Sequence, residues 1–316
     1  MRLLKRTPVV FIVIATLLFS GCSKYKLYTM AIDSRRSGAE LSVKKTTISI
    51  GEIVYLDNAT IKDPRQNQDT VLMVHGFGGN KDNWVLLSDE MTQDYRIIAL
   101  DLPGHGNSVS DTDLSYTVEN QAKWLNEFME ALDIKKAHVI GNSMGGAICL
   151  KLTHLHADKV LSMTLVDSAG VYVAKNEFIL LLEKGINPLI AGNTDEYKKL
   201  IDFVMEKKPY IPGFAIAVMT EEKIARKSLD EKIFTDIRND IGLMENHLSE
   251  IHTPTLIIWG DKDRVIHVDN AEEFHKKIQG SQLAVLSGIG HLPMVEDPKK
   301  TWETFKPFLA SIKQKP

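Results

Sequence analysis

The chain has 316 residues, a formal net charge of −3 and 44% hydrophobic residues. That length exceeds a typical domain but suits one α/β core carrying an insertion, and the apolar share is enough for a sizeable buried core. The charge balance argues against nucleic-acid binding, which wants a basic patch, and no internal repeat, heptad array or low-complexity tract is present.

At the amino terminus, Arg2, Lys5 and Arg6 precede an uncharged apolar stretch over residues 9–19. About a dozen such residues are too few to span a bilayer comfortably but suit a signal peptide. Residues 1–21 are read as that signal. Ser20-Gly21-Cys22, with Leu17 and Leu18 upstream, resembles a bacterial lipobox, which implies that Cys22 is diacylated and becomes the new terminus. Phe19 stands where leucine is usual in such a box. An uncleaved anchor and an ordinary secretory signal are the alternatives, and all three place the rest of the chain outside the cytoplasm. Residues 22–45 are polar, with Lys24, Lys26, Arg35, Arg36, Lys44 and Lys45, and read as a tether or first-helix region.

The core is expected over residues 46–169 and 251–316. Residues 46–50 and 53–56 form a predicted hairpin around Gly51. Val71-Leu72-Met73-Val74 reads as a buried strand running into the flexible His75-Gly76-Phe77-Gly78-Gly79. Residues 96–100 are a strand into Asp101-Leu102-Pro103-Gly104, and residues 117–132 carry a helical apolar stripe. Ala137-His138-Val139-Ile140 is the next strand, entering Gly141-Asn142-Ser143-Met144-Gly145. A serine at the tip of a strand–turn–helix elbow is held in strained backbone geometry. Its neighbours two residues away pass too close for side chains, so Gly-x-Ser-x-Gly has a steric cause. Cys149, on the helix that follows, reads as a buried core residue.

Strands alternating with helices imply a mainly parallel sheet covered on both faces. The regularity breaks after Met163-Thr164-Leu165-Val166-Asp167. Residues 170–250 hold helix-like pieces punctuated by Pro188, Pro209 and Pro212, and read as a helical cap inserted between the sixth and seventh strands. Its apolar segments, one over residues 178–182 and one from Tyr210 to Met219, are candidates both for packing the cap and for lining an acyl-chain channel. Residues 255–259 form a strand followed by Gly260-Asp261-Lys262-Asp263, and residues 282–286 form the last strand, followed by Ser287-Gly288-Ile289-Gly290-His291.

The chain order Ser143, Asp263, His291 is that of a nucleophile–acid–base triad on an α/β sheet. His291 would take the serine proton and Asp263 would fix the imidazole tautomer. Asp261 reads better as a turn-bonding residue, and Asp167 is the alternative acid. The N–H groups of Phe77 and Met144 are the candidate oxyanion donors.

The oxyanion run from His75 to Trp84, Asp101-Leu102-Pro103-Gly104-His105-Gly106-Asn107-Ser108, the nucleophile elbow, Trp259-Gly260-Asp261-Lys262-Asp263 and Gly290-His291-Leu292-Pro293-Met294-Val295-Glu296 together resemble the α/β-hydrolase superfamily. More narrowly, they resemble the bacterial family V lipases and monoacylglycerol lipases. The resemblance implies a mostly parallel eight-stranded sheet flanked by helices and an acyl-enzyme mechanism on apolar carboxylic esters, monoacylglycerol-like lipids leading, with no cofactor and no metal. Two alternatives share the fold: a carbon–carbon hydrolase of ring-cleavage products, and an inactive binding lipoprotein. Ser23 after the modified cysteine implies delivery to the outer membrane.

Overall fold

Residues 24–59 and 68–313 are described by the computed structural model; the expected signal peptide and Cys22 lie outside them. Eight strands form one sheet: β1 (Ser42–Ile48), β2 (Gly51–Asp57), β3 (Thr70–Val74), β4 (Arg96–Leu100), β5 (Ala137–Asn142), β6 (Val160–Val166), β7 (Thr255–Gly260) and β8 (Gln282–Leu286). The spatial order is β1-β2-β4-β3-β5-β6-β7-β8, and only the pairings made by β2 are antiparallel. β3 and β5 are buried along their whole length, as central strands covered on both faces must be.

Alternate residues of β3 show the two layers. Leu72 and Val74 pack with Leu125 and Phe128 of α3 (Val118–Ala131) and with Ile148 and Leu152 of α4 (Met144–Leu155). Val71 and Met73 face the other way, toward Leu87 of α2 (Val85–Asp89) and Phe305 and Leu309 of α10 (Pro298–Lys313). Each such fully buried side chain contributes roughly 1.5–3 kcal/mol. α3 starts where the Thr117 side chain accepts from the N–H of Asn120 and stops at Asp133, whose φ of 55° cannot continue a helix. Between β7 and β8 runs α8 (Asp269–Lys277), and α9 (Pro293–Glu296) follows β8.

The segment between β6 and β7 carries three helices and no strand: α5 (Glu177–Glu183), α6 (Thr194–Val204) and α7 (Gly213–Arg238). Asn176 and Asn193 side chains cap the first two. α7 begins directly after Pro212, and a 3-10 stretch, Leu243–Glu250, leads back to β7.

Two expectations need correction. The first strand begins at Ser42 rather than at residue 46, and the hairpin turns through Ser49 and Ile50. Residues 22–45 are also not merely a tether, because Lys24–Gly38 form a helix, α1, docked on the rest of the molecule. No α1 side chain is fully buried, so burial alone does not hold it. Arg36 grips both carboxylate oxygens of Asp82 at 2.7 Å, the bidentate geometry that makes an ion pair strong, and Lys24 and Tyr25 both bond Glu221 on α7.

Candidate active site

The parallel register aligns the carboxyl ends of the central strands: Val74 pairs with Gly141, and Asn142 with Val166. The loops after β3, β5, β6, β7 and β8 therefore open at one edge, where ligands collect in open α/β sheets. Ser143 follows β5 at φ 55°, ψ −120° and starts α4. For a non-glycine residue that conformation costs on the order of 1–3 kcal/mol, and the surroundings enforce it. A Cβ on Gly141 would lie 2.3 Å from the carbonyl oxygen of Gly145, and one on Gly145 would lie 2.2 Å from that of Val74. Both glycines are required by close backbone approach.

His291 is buried beside Asp263, its Nδ1 2.7 Å from Asp263 Oδ2. The other carboxylate oxygen, Oδ1, accepts from the N–H groups of Val265 (2.7 Å) and Ile266 (3.0 Å). With Nδ1–H donated to the carboxylate, Nε2 is left as the acceptor nitrogen of a neutral ring. Ser143 and His291 line one cavity of about 760 Å³. No direct hydrogen bond joins them among the described residues, and such catalytic contacts commonly tighten only when substrate binds.

Asp261 and Asp167 both lie nearby, and their environments separate them from Asp263. Asp261 accepts from the N–H of Gly288 at 2.7 Å and the Ser287 hydroxyl at 3.1 Å, so it closes the turn after β8. Asp167 sits at φ 45° and accepts from the N–H of Gly260 at 2.9 Å, while its second oxygen is buried beside the Asp263 carboxyl. Burial, reinforced by the Asp263 charge, holds the Asp167 carboxyl well above the usual range. Two adjacent buried carboxyls cannot both ionise cheaply, and it is Asp167 whose protonated form the surroundings favour.

Opposite the serine lies the loop after β3. The N–H of Gly79 donates to the carbonyl of Gly76 at 3.1 Å, which leaves Phe77 at the tip of a tight turn. Neither the Phe77 nor the Met144 N–H is engaged by another group among the described residues. His75, below the turn, accepts from the N–H of Leu102 through Nε2 (3.0 Å) and donates through Nδ1 to the carbonyl of Gly76 (2.8 Å). Burial pushes its pKa down to about 4, so it is a neutral shaping residue.

The cavity has two kinds of wall. α6, the segment after it and the start of α7 contribute Leu200, Ile201, Val204, Ile211, Val218 and Met219. The other wall comes from α1, through Tyr25, Tyr28 and Ile32, with the paired Arg36 and Asp82. Burial, then the charges of Glu222 and Asp82, push the Tyr28 phenol up to about 12, leaving a neutral hydroxyl. Of the two apolar cap segments singled out in the sequence, only the second reaches the cavity. In the first, Phe178 packs edge-on against Phe234 at 6.2 Å and Leu180 is half exposed.

Residues 69–298 match the family described as alpha/beta hydrolase fold. The chain belongs to that family. Among its curated relatives, Lipase 3 of Moraxella sp. (strain TA144) is 36% identical over 289 residues, covering 90% of this chain and 89% of that one. Monoacylglycerol lipase ABHD6 of Mus musculus is 30% identical over 259 residues, covering 78% and 77%. Among solved structures, one titled as a membrane phospholipase A, a novel bacterial virulence factor, superposes with a TM-score of 0.90 at 32% identity, covering 97% of both chains.

In this α/β hydrolase several side chains that hold the site were not identifiable as such beforehand. Asp101, fully buried after β4, accepts from the backbone N–H of Lys81 (2.8 Å), its Nζ (2.8 Å) and the N–H of Asn107 (2.9 Å). It thereby ties the β3 and β4 loops together, and a Cβ on Gly106 would collide with it at 2.2 Å. Glu296 brackets the histidine loop by accepting from the N–H groups of Gly290 (3.0 Å), Glu206 (2.9 Å) and Lys207 (2.7 Å). Arg264, next to Asp263, binds the carbonyls of Asp202, Phe203 and Met205 at the end of α6, where the helix dipole favours a cation. The cap is thus fastened to both triad loops, since the N–H of His291 also donates to the carbonyl of Val204 at 2.9 Å. Asp101 and Glu296 stood within recognisable motifs, but nothing in the sequence indicated their partners.

Proposed function

We propose that the chain is a serine hydrolase that cleaves carboxylic esters with apolar acyl chains through an acyl-enzyme, with monoacylglycerol-like lipids as its substrate class. The observation that carries this reading is His291, hydrogen-bonded to Asp263, sharing a cavity with Ser143 under an apolar cap wall. Its lipase and monoacylglycerol lipase relatives support the same chemistry. Ser143 Oγ attacks the ester carbonyl as His291 Nε2 takes its proton, and the N–H groups of Phe77 and Met144 receive the developing oxyanion. His291 then passes the proton to the leaving alcohol. Water repeats the cycle on the acyl-enzyme, releasing the fatty acid. The charged Asp263 stabilises the imidazolium in both halves.

The apolar wall suits the acyl chain. The part lined by α1, with its neutral Tyr28 hydroxyl and the compensated Arg36–Asp82 pair, suits an uncharged polyol head. Each buried methylene is worth roughly 0.8 kcal/mol, so kcat/KM on nitrophenyl esters should rise several-fold per added methylene from acetate until the wall is filled. A profile that is flat or falling from two to eight carbons would overturn the acyl assignment. The likeness to the membrane phospholipase A structure supports a second reading, in which the head is a phosphodiester. Comparing fatty-acid release from a monoacylglycerol and from a phospholipid in the same detergent decides between them.

We also propose that the protein is exported and anchored by a lipid on Cys22, at the outer membrane where one exists. The positive and apolar leader supports this, as does the position of α1. A lipid two residues before Lys24 would bring the α1 wall of the cavity to the bilayer, from which the substrate comes. Expressed in a bacterial host, the full-length protein should incorporate labelled palmitate and partition with membranes, and Cys22→Ser should abolish the label. Label persisting in Cys22→Ser would return the apolar segment to an uncleaved anchor.

A further inference from the structure

Three side chains on one face of α7 carry charge into the seam between cap and core. Lys223, Arg226 and Asp230 are spaced three and four residues apart, so they stack along the helix. Asp230 is 1% exposed and pairs with both cations: Lys223 Nζ lies 3.4 Å and Arg226 Nη2 3.1 Å from its oxygens. Asp230 is shared between the two cations, and the Glu222 carboxylate near them adds a second negative charge, so the cluster is close to neutral but Lys223, Arg226 and Asp230 are largely desolvated. Burial presses the Lys223 ammonium below its ordinary value. Desolvating a cation without recompense is costly, and an apolar residue would pack a cap helix more cheaply. The recompense comes from two core carbonyls. Arg226 donates to that of Gly104, and Lys223 donates to that of Gly78 at 2.6 Å.

The second of these contacts leads to the reaction. The carbonyl of Gly78 and the N–H of Gly79 belong to one peptide group, and that N–H donates to the carbonyl of Gly76. The carbonyl of Gly76 and the N–H of Phe77 belong to the next. Lys223 therefore stands at the head of a series: ammonium to peptide, peptide to peptide, and from there to the N–H aimed at the oxyanion. Hydrogen bonds in series polarise one another, so a cation at the head makes the last N–H a better donor and fixes its direction. Gly78 itself is at φ 66°, and a Cβ there would lie 2.5 Å from Lys223 Nζ. The positive φ favours glycine there, and a side chain would also crowd the ammonium at the end of its flexible chain.

We propose that Lys223 is a positioning residue for the oxyanion hole, acting on the Phe77 N–H through the intervening Gly78–Gly79 peptide group. This rests on the serine-hydrolase reading above. It also means that the cap helix holding the apolar wall completes the catalytic loop, so a cap lifted off the core would lose transition-state stabilisation along with substrate contacts.

Lys223→Met in the full-length protein tests this. The variant keeps the straight chain, removes the donor, and leaves Asp230 paired with Arg226. The substrate is nitrophenyl acetate, whose acyl group is too short to fill the apolar wall. Removing an oxyanion donor outright costs about 10²–10³ in kcat, so weakening one through a relay should cost about tenfold. KM should stay within about twofold. Binding of a trifluoromethyl ketone, which forms a tetrahedral adduct with Ser143, should weaken by the same factor as kcat, while binding of a fatty acid should not change. Lys223→Arg should recover most of the loss. Arg226→Met cuts the tie to Gly104 and leaves the relay intact, so its kcat on acetate should match the wild type.

An unchanged kcat in Lys223→Met, or equal losses in Lys223→Met and Arg226→Met, would overturn the proposal, the latter by showing general loosening of the cap. If Lys223→Met does not fold, Lys223→Gln, with a weaker neutral donor, should give an intermediate kcat, and wild-type kcat in that variant overturns the proposal equally. A wild type that does not turn over acetate would instead count against the serine-hydrolase reading itself.

Discussion

Ser143→Ala should abolish turnover while leaving the fold in place. The backbone bonds that hold the elbow do not involve the hydroxyl. The N–H of Ser143 donates to the carbonyl of Val166 at 3.0 Å, and its carbonyl accepts from Gly146 (2.9 Å) and Ala169 (3.0 Å). Alanine meets the same unfavourable φ of 55° as serine, so that strain is common to both proteins and cancels in the comparison. Thermal unfolding should therefore shift by no more than a degree or two. Activity should fall on the order of 10⁵-fold, because losing the nucleophile of such a triad leaves only binding and the oxyanion hole. The checks are steady-state hydrolysis of a nitrophenyl ester and intact mass after exposure to a fluorophosphonate, with one adduct on the wild type and none on the variant. Retention of a tenth of wild-type activity would remove Ser143 from the mechanism.

What could be read beforehand divides along a physical line. Features with a local cause were legible. The glycines around Ser143 answer to clashes within five residues and with the adjoining strand, and the continuous apolar run of β3 answers to burial on both faces. The place of Asp263 relative to Asp261 followed from turn chemistry, since the residue directly after Gly260 is the one that closes the loop after β8.

Features whose cause lies far along the chain were not legible. The polar stretch holding α1 left a tether and a first helix equally open, because its docking depends on Asp82 and Glu221, 46 and 196 residues away. Nothing in the sequence sets Lys223 and Asp230 apart from other charges on a helix, and only the fold of the cap brings Lys223 to the Gly78 carbonyl. The first apolar cap segment left packing and channel lining open for the same reason, and in the fold it packs the cap and meets solvent rather than the cavity.

Asp263→Asn and Asp167→Asn should have opposite consequences, although the two carboxyls are neighbours. An amide at 263 offers His291 Nδ1 the wrong kind of partner and removes the charge that stabilises the imidazolium, which in a Ser-His-Asp triad lowers kcat by about 10⁴. At 167 burial and the neighbouring Asp263 charge favour the neutral acid. Asparagine reproduces it, with an oxygen to accept from the N–H of Gly260 and an N–H to offer Asp263, so kcat should stay within about threefold. Stability supplies an independent check. Folding raises the Asp167 carboxyl above its unfolded value of 3.8, so above about pH 4 the native protein holds a proton that the unfolded chain has released. Stability is then lost as pH rises, by up to about 1.4 kcal/mol per unit, until the folded carboxyl itself ionises. Asparagine carries no such penalty. The melting temperature of Asp167→Asn should match the wild type near pH 4 and exceed it at pH 7. If instead Asp167→Asn is the variant that loses activity, the acid comes from the end of β6 and the roles of the two residues are exchanged.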